Sequence, residues 1–117
     1  MKLTKLRLCK EASSKLRYSS GRTGLTPNLL CRIGFCLSLA EPSSPNPEMY
    51  QEDDREFNRY TLLGEYDELF IALLRQRCVS AGMDDKHLTE MFRAHMNRGA
   101  ILVSGRLKNI SDLVELL

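Results

Sequence analysis

Two groups of side chains in this 117-residue sequence could carry chemistry: four cysteines, and a dense run of cations at one end. The thiols are Cys9, Cys31, Cys36 and Cys78. Cys31 and Cys36 stand five residues apart, which on a helix separates them by roughly 140° and keeps them from sharing an ion. No C-x-x-C pair occurs, and neither His87 nor His95 lies beside a cysteine in the sequence. A zinc site is not expected, and small buried hydrophobes are the better reading of these cysteines. Cys9 alone follows a basic stretch whose cations would lower a thiol pKa, so it is the one candidate for carrying sulfur. With no framework spacing, the cysteines are expected as reduced thiols in a cytoplasmic protein. Asp53, Asp54 and Glu56 look at a glance like metal ligands, yet Arg55 stands among them and a proline-rich stretch precedes them. A solvated acidic patch is expected there. No P-loop, G-x-G-x-x-G, nucleophile elbow or H-E-x-x-H occurs, so neither catalysis nor a cofactor is expected.

The cations are more telling. Met1 to Ala40 holds Lys2, Lys5, Arg7, Lys10, Lys15, Arg17, Arg22 and Arg32 against the single acid Glu11. Glu41 to Phe57 reverses the balance, with six acids against Arg55, and the remainder is neutral. A net charge of +2 therefore hides one strongly basic end. That distribution is the footprint of a polyanion binder, with a solvated basic surface as the plain alternative.

The elements that must position these charges can be read in order. Leu6 and Leu8 alternate with Lys5 and Arg7, which predicts a half-buried strand with a cationic outer face. Lys10 to Ser20 predicts a short helix with Ala12, Leu16 and Ser19 on one face, ended by Gly21 and Gly24. Thr26-Pro27 is a helix start, the hydroxyl accepting from free amides and proline suiting the first position. The helix that follows is apolar on many sides, through Leu29, Leu30, Ile33, Phe35, Cys36, Leu37, Leu39 and Ala40. Burial all round, with a subunit interface, is expected. Glu41 to Pro47 breaks it with an acidic, proline-rich loop. Phe57 to Leu63 reads equally as extended or helical. A further helix should run from the acids Glu65, Asp67 and Glu68 to Gly82, burying Tyr66, Leu69, Phe70, Leu73 and Leu74. Another, capped by Asp84 or Asp85, should bury Leu88, Met91, Phe92, His95 and Met96 and end at Gly99. Ser111 should cap a last turn through Leu113, Val114 and Leu117. No apolar run reaches the roughly 18 residues of a membrane span, and the opening residues lack an apolar signal segment.

A basic strand, short helix, turn and apolar helix within forty residues match the ribbon–helix–helix arrangement. There, two subunits pair their strands and the ribbon can enter a major groove, while the second helix offers its N-terminus to a phosphate. On this template Lys5 and Arg7 face the groove and Thr26 and Asn28 approach the backbone. The alternative is a strand that only covers the core.

Three stretches carry a more specific likeness: N-L-L-C-R-I-G-F-C-L-S-L-A-E-P at 28–42, E-F-N-R-Y-T-L-L-G-E-Y-D at 56–67 and H-M-N-R-G-A at 95–100. In these the chain resembles the DNA sulfur modification protein DndE family, over most of its length. The resemblance implies the machinery that replaces a non-bridging phosphate oxygen of DNA with sulfur, in which a cysteine desulfurase, an iron–sulfur protein and an ATPase supply sulfur and energy. It also implies a ribbon–helix–helix likeness, a homotetramer, and a preference for nicked duplex DNA held by surface lysines.

The expectation is a mainly α single domain over 1–117: a basic ribbon–helix–helix-like unit (1–40), an acidic loop (41–56) and a helical extension (57–117). Lys2, Lys5, Arg7, Lys10, Lys15, Arg17 and Arg22 are the expected phosphate contacts, with Lys5, Lys10 and Lys15 foremost. The expected partners are double-stranded DNA, further copies of the chain and the other modification proteins, with no membrane, metal or cofactor. The rival readings are an adaptor that binds DNA weakly and an enzyme that nicks DNA itself.

Overall fold

The computed structural model describes residues 1–116. Strand β1 (Lys5–Arg7) leads into α1 (Lys10–Thr23) and α2 (Pro27–Ala40). A 3-10 turn (Pro47–Met49) precedes β2 (Glu56–Asn58) and α3 (Arg59–Leu63), and another (Gly64–Tyr66) precedes α4 (Asp67–Ser80). Two further 3-10 turns, Asp85–His87 and Ile110–Asp112, introduce α5 (Leu88–Arg106) and α6 (Leu113–Leu116). The protein is thus mainly helical, with a strand-plus-two-helices unit followed by more helices.

The alternation in β1 has the predicted consequence: Leu6 and Leu8 are buried while Lys5 and Arg7 face out. Within the chain β1 pairs with β2, which runs antiparallel with Leu6 opposite Phe57. Phe57–Leu63 is both things its sequence suggests, strand first and helix after, with the Asn58 side chain capping α3 at Tyr60 and Thr61.

Gly24 alone ends α1, in a left-handed conformation (φ 77°) with its amide on the Ser20 carbonyl; Gly21 lies inside the helix. The Thr26 hydroxyl caps α2 at the Leu29 amide, 3.2 Å away, as predicted. The burial of α2 differs from expectation. Leu30, Cys31, Gly34, Phe35 and Ser38 face the core, whereas Leu29 and Cys36 are exposed and Ile33 and Leu37 only half-buried. The helix is apolar all round but buried on one side.

The main packing is α2 on α5, through glycines on both helices. A Cβ on Gly34 would overlap the Gly99 carbonyl group, and one on Gly99 would overlap the Gly34 carbonyl group. Gly99 therefore does not end its helix, as its type suggested. It admits the neighbouring backbone, and α5 runs seven residues further, to Arg106. Phe35 fills the centre, its ring 5.8 Å from that of Phe70 and 5.6 Å from that of Phe92, edge and tilted geometries that suit aromatic quadrupoles. On α5 the predicted inward residues Leu88, Met91, Phe92, His95 and Met96 are all buried.

The stripe of α4 departs in part from expectation. Phe70, Ile71, Leu74 and Cys78 face inward, while Tyr66, Leu69 and Leu73 stay exposed. At the chain's end Asn109, not Ser111, is the cap, paired with Asp112 in a capping box. Leu117 lies outside the described residues.

Arg59 ties the N-terminal segment down. It is 7% exposed, bonds Asp67 through two parallel contacts of 2.9 and 2.8 Å and donates to the carbonyls of Met1 and Leu3. A guanidinium so buried is retained because every contact is charge-assisted or to a carbonyl.

Candidate nucleic-acid interface

All seven cations expected to meet phosphate are exposed, but the fold divides them. Helical rotation puts Lys10, Ser14, Lys15, Arg17, Tyr18, Gly21 and Arg22 on one outward arc of α1. The opposite arc carries the buried Ala12, Leu16 and Ser19. Four cations are thus brought together on one helix face. Only Lys15 among them meets an acid, Glu11, at 3.9 Å. Lys10, Arg17 and Arg22 form no ion pair among the described residues, and nor does Lys2 ahead of β1.

Lys5 and Arg7 sit differently. They flank Glu56 on the paired strand, at 3.9 and 3.5 Å, and Arg7 also donates to the Asp54 carbonyl. Such exposed pairs contribute about 0–1 kcal/mol to stability. Their effect here is local charge: one carboxylate stands within reach of both strand cations.

The α2 N-terminus offers less to an anion than its sequence promised. The Thr26 hydroxyl already occupies the Leu29 amide, and proline at 27 has no amide to give.

Asp53 is exposed, as expected of a solvated patch, while other acids of the segment are paired. Arg106 of α5 donates to Glu41 at 2.7 Å. Arg93 meets Glu52 at 2.8 Å as an ion pair without hydrogen-bond alignment. Glu56 serves β1 as described. These pairings between distant segments left no local signal in the sequence.

The four thiols are unpaired. Burial pushes the Cys31 thiol up to about 12 and raises Cys36 and Cys78 as well. Burial matches expectation for Cys31 and Cys78; Cys36 is exposed and departs from it. Cys9 is half-buried at the start of α1, its amide bonded to the Asn97 side chain at 2.8 Å. Among the described residues no group of three or more His, Cys, Asp or Glu side chains could hold a metal.

The predicted core histidine is satisfied. His95 Nδ1 lies 2.8 Å from the Ser38 hydroxyl, and Arg98 donates to that same hydroxyl at 2.8 Å and to the Ser38 carbonyl at 2.7 Å. Arg98 can only donate, so the Ser38 hydroxyl accepts from it, and the same hydroxyl and His95 Nδ1 share one proton between them. Burial first, then the nearby Arg98 and Arg77 charges, lower the His95 pKa to about 4. A Ser–His contact this deep serves to join α2 to α5, since both residues are fully buried.

Two surface features escaped the sequence reading. One is Tyr18, exposed on α1 and held by Arg22; its only signal was the Tyr–Arg spacing of one helical turn. The other is an apolar groove of about 330 Å³ between α2 and α4, lined by Leu29, Ile33, Cys36, Tyr66, Leu69 and Phe70 with Arg32 at its edge. Its signal was the excess of apolar positions on both helices.

Taken with the fold, these surfaces define a strand-led helical protein with one cationic helix face and one apolar flank. No helix among the described residues is long and apolar enough to cross a membrane. The sequence profile of the family described as DNA sulphur modification protein DndE matches residues 5–111, and the chain belongs to that family. No curated protein matches. Among solved structures the chain is similar to DndE from Escherichia coli B7A, described as involved in DNA phosphorothioation modification. That match has a TM-score of 0.69 and 24% identity over 86% of this chain and 96% of that one. It is also similar to a DndE G21/24K mutant involved in DNA phosphorothioation, with a TM-score of 0.65 and 21% identity over 88% and 99% of the two chains. At these identities the structural likeness speaks for the fold. Family membership places the chain in DNA sulfur modification.

Proposed function

We propose that this protein is a non-catalytic, DNA-binding accessory of phosphorothioate modification that holds duplex DNA, preferably at nicks, through the outward face of α1. The observation that carries this reading is the arc of Lys10, Lys15, Arg17 and Arg22, with a single carboxylate beside it. Four cations on one face can neutralise several phosphates at once without reading bases. Lys5 and Arg7 add charge from the strand, tempered by Glu56, and Lys2 adds charge ahead of it. A nick lets the duplex bend cheaply, so a rigid cationic surface selects it through deformability. The whole of 1–117 acts as one cytoplasmic domain, in which 1–40 carries the DNA face and the later helices support it.

The apolar groove supports self-association. Leu29, Tyr66, Leu69 and Leu73 are each 39–55% exposed on one flank, more apolar surface than a monomer of this size gains by showing to water. A homotetramer would cover that flank and multiply the cationic face. The same groove favours, as a second reading, an adaptor that docks the other modification proteins and touches DNA weakly.

The experiment is a titration of nicked, intact and single-stranded DNA of one sequence across a salt series, with mass measured in solution. Tight binding to the nicked duplex, weakening steeply with salt, is the expected result. A well-folded protein that binds no DNA at physiological salt would leave the adaptor reading.

A further inference from the structure

Tyr18 is the most exposed aromatic side chain among the described residues, at 61%. A ring in the middle of a helix and open to water gives nothing to the core, yet this one has a partner. Arg22, one turn on, donates to the Tyr18 hydroxyl at 2.7 Å. Its guanidinium carbon lies 5.4 Å from the ring centroid. The contact favours this rotamer and leaves much of the ring open.

The surroundings are equally particular. Lys15, Arg17 and Arg22 lie within a turn of the ring along the helix. Gly21, three residues on, is a helix-interior glycine where an added Cβ would meet nothing within 4 Å. The chain's own packing therefore does not require glycine at this position, although glycine weakens a helix. What its absence of side chain provides is a bare helix surface beside the ring. A flat π surface held by an arginine, bordered by cations and by open backbone, has the make-up of a nucleobase platform.

We propose that Tyr18 stacks on a base exposed at a strand break and thereby strengthens the preference for nicked over intact duplex. The proposal rests on the DNA-binding reading above. Base–aromatic stacking is of the same order as the base-step stacking that a duplex loses when it opens. In an intact duplex the opening also deforms two continuous backbones. At a nick one backbone is already cut, so the ring offsets the lost stacking there and not elsewhere. The cations bind both substrates and set affinity, and the ring adds its own share to the bias toward the nick that easier bending gives.

The test compares wild type with Tyr18→Ala, Tyr18→Phe and Tyr18→Trp, each checked for native circular dichroism and solution mass. Affinities are measured for a nicked and an intact duplex of one sequence, and 2-aminopurine placed at the nick reports stacking by its fluorescence. Tyr18→Ala should lower the nicked-to-intact affinity ratio by about tenfold and abolish the protein-dependent fluorescence change. Phe and Trp should retain both. A Tyr18→Ala protein with the wild-type ratio and fluorescence change overturns the inference alone. So does one that weakens on both duplexes equally. Wild-type protein that binds neither duplex overturns the DNA-binding reading itself.

Discussion

Helices α1 and α2 are consecutive, each fourteen residues long, and each starts from an extended residue, yet they use their surfaces in opposite ways. In α1 the buried arc is made of small and polar residues with one leucine: Ala12, Ser13, Leu16, Ser19 and Thr23. Its outward arc is charged. In α2 the inward arc holds Leu30, Phe35 and Gly34, the last in close backbone contact with Gly99, and its outward arc is apolar too. Its one cation, Arg32, is spent on the Leu62 carbonyl at 2.7 Å. The two helices thus divide the surface: α2 packs the core and leaves an apolar flank, while the outward arc of α1 presents charge.

The glycines give the largest contrast. Gly99→Ala should drive α2 and α5 apart, costing about 3 kcal/mol or more, because the Cβ meets backbone and not a side chain that can turn away. Gly21→Ala in α1 meets nothing and should stabilise by about 0.5–1 kcal/mol. Urea unfolding of the two variants measures both. Equal and small effects would mean that the α2–α5 approach is looser than described.

Acid should attack the same α2–α5 seam. The folded-state pKa of His95 is lowered to about 4 from 6.5, so as pH falls the unfolded chain takes up the proton first. The stability His95 preserves is whole above pH 6.5 and is lost progressively between 6.5 and about 4. By linkage this amounts to about 2–3 kcal/mol. Unfolding midpoints across that range should fall steeply in wild type and less so in His95→Asn. A wild type that keeps its full stability at pH 4.5 would contradict the neutral, hydrogen-bonded imidazole.

The outward arc of α2 is tested by Ile33→Asp, which places a charge in the groove but outside the Phe35 core. Ile33 is only half-buried, so the expected product is a folded chain whose solution mass has dropped, read by light scattering with circular dichroism. Unchanged mass would show that the groove is not an association surface.

The difference between the two arcs also explains what the sequence could reveal. Local chemistry was legible: the Leu6–Leu8 alternation, the Thr26-Pro27 cap and the inward stripe of α5 all follow from neighbours a few residues away. Contacts between distant segments were not. Nothing local shows that β1 meets β2 across some fifty positions, or that Glu41 meets Arg106. Where a helix is apolar on two sides, periodicity cannot say which faces the core, and the α4 stripe departs from expectation for that reason. Gly99 reads as a helix end because glycine usually weakens helices; that it admits another backbone is visible only with Gly34 opposite. In the candidate interface, residue types were legible and pairing was not. The run of cations predicted all seven exposed side chains, but Glu56 beside Lys5 and Arg7 came only with the fold.

That pairing sharpens the last and smallest effect. A cation that neutralises one phosphate contributes about −0.9 to the slope of log affinity against log salt, so losing one should weaken binding several-fold and flatten the slope by nearly one unit. Lys10 and Arg17 have no carboxylate partner among the described residues, so Lys10→Ala and Arg17→Ala should show the full change. Lys5 and Arg7 share Glu56, and on binding DNA they would exchange one anion for another, so Lys5→Ala should flatten the slope less. Arg75, already 3.4 Å from Asp85, should change it least. Glu56→Gln completes the comparison: freed of its carboxylate, the strand should gain affinity and a steeper slope. All these substitutions lie on the surface and should move folding stability by no more than about 0.5 kcal/mol, so a changed slope can be assigned to DNA contact. If Lys5→Ala and Glu56→Gln shift the slope while Lys10→Ala and Arg17→Ala do not, the DNA lies along β1 and the outward arc of α1 is only a solvated surface.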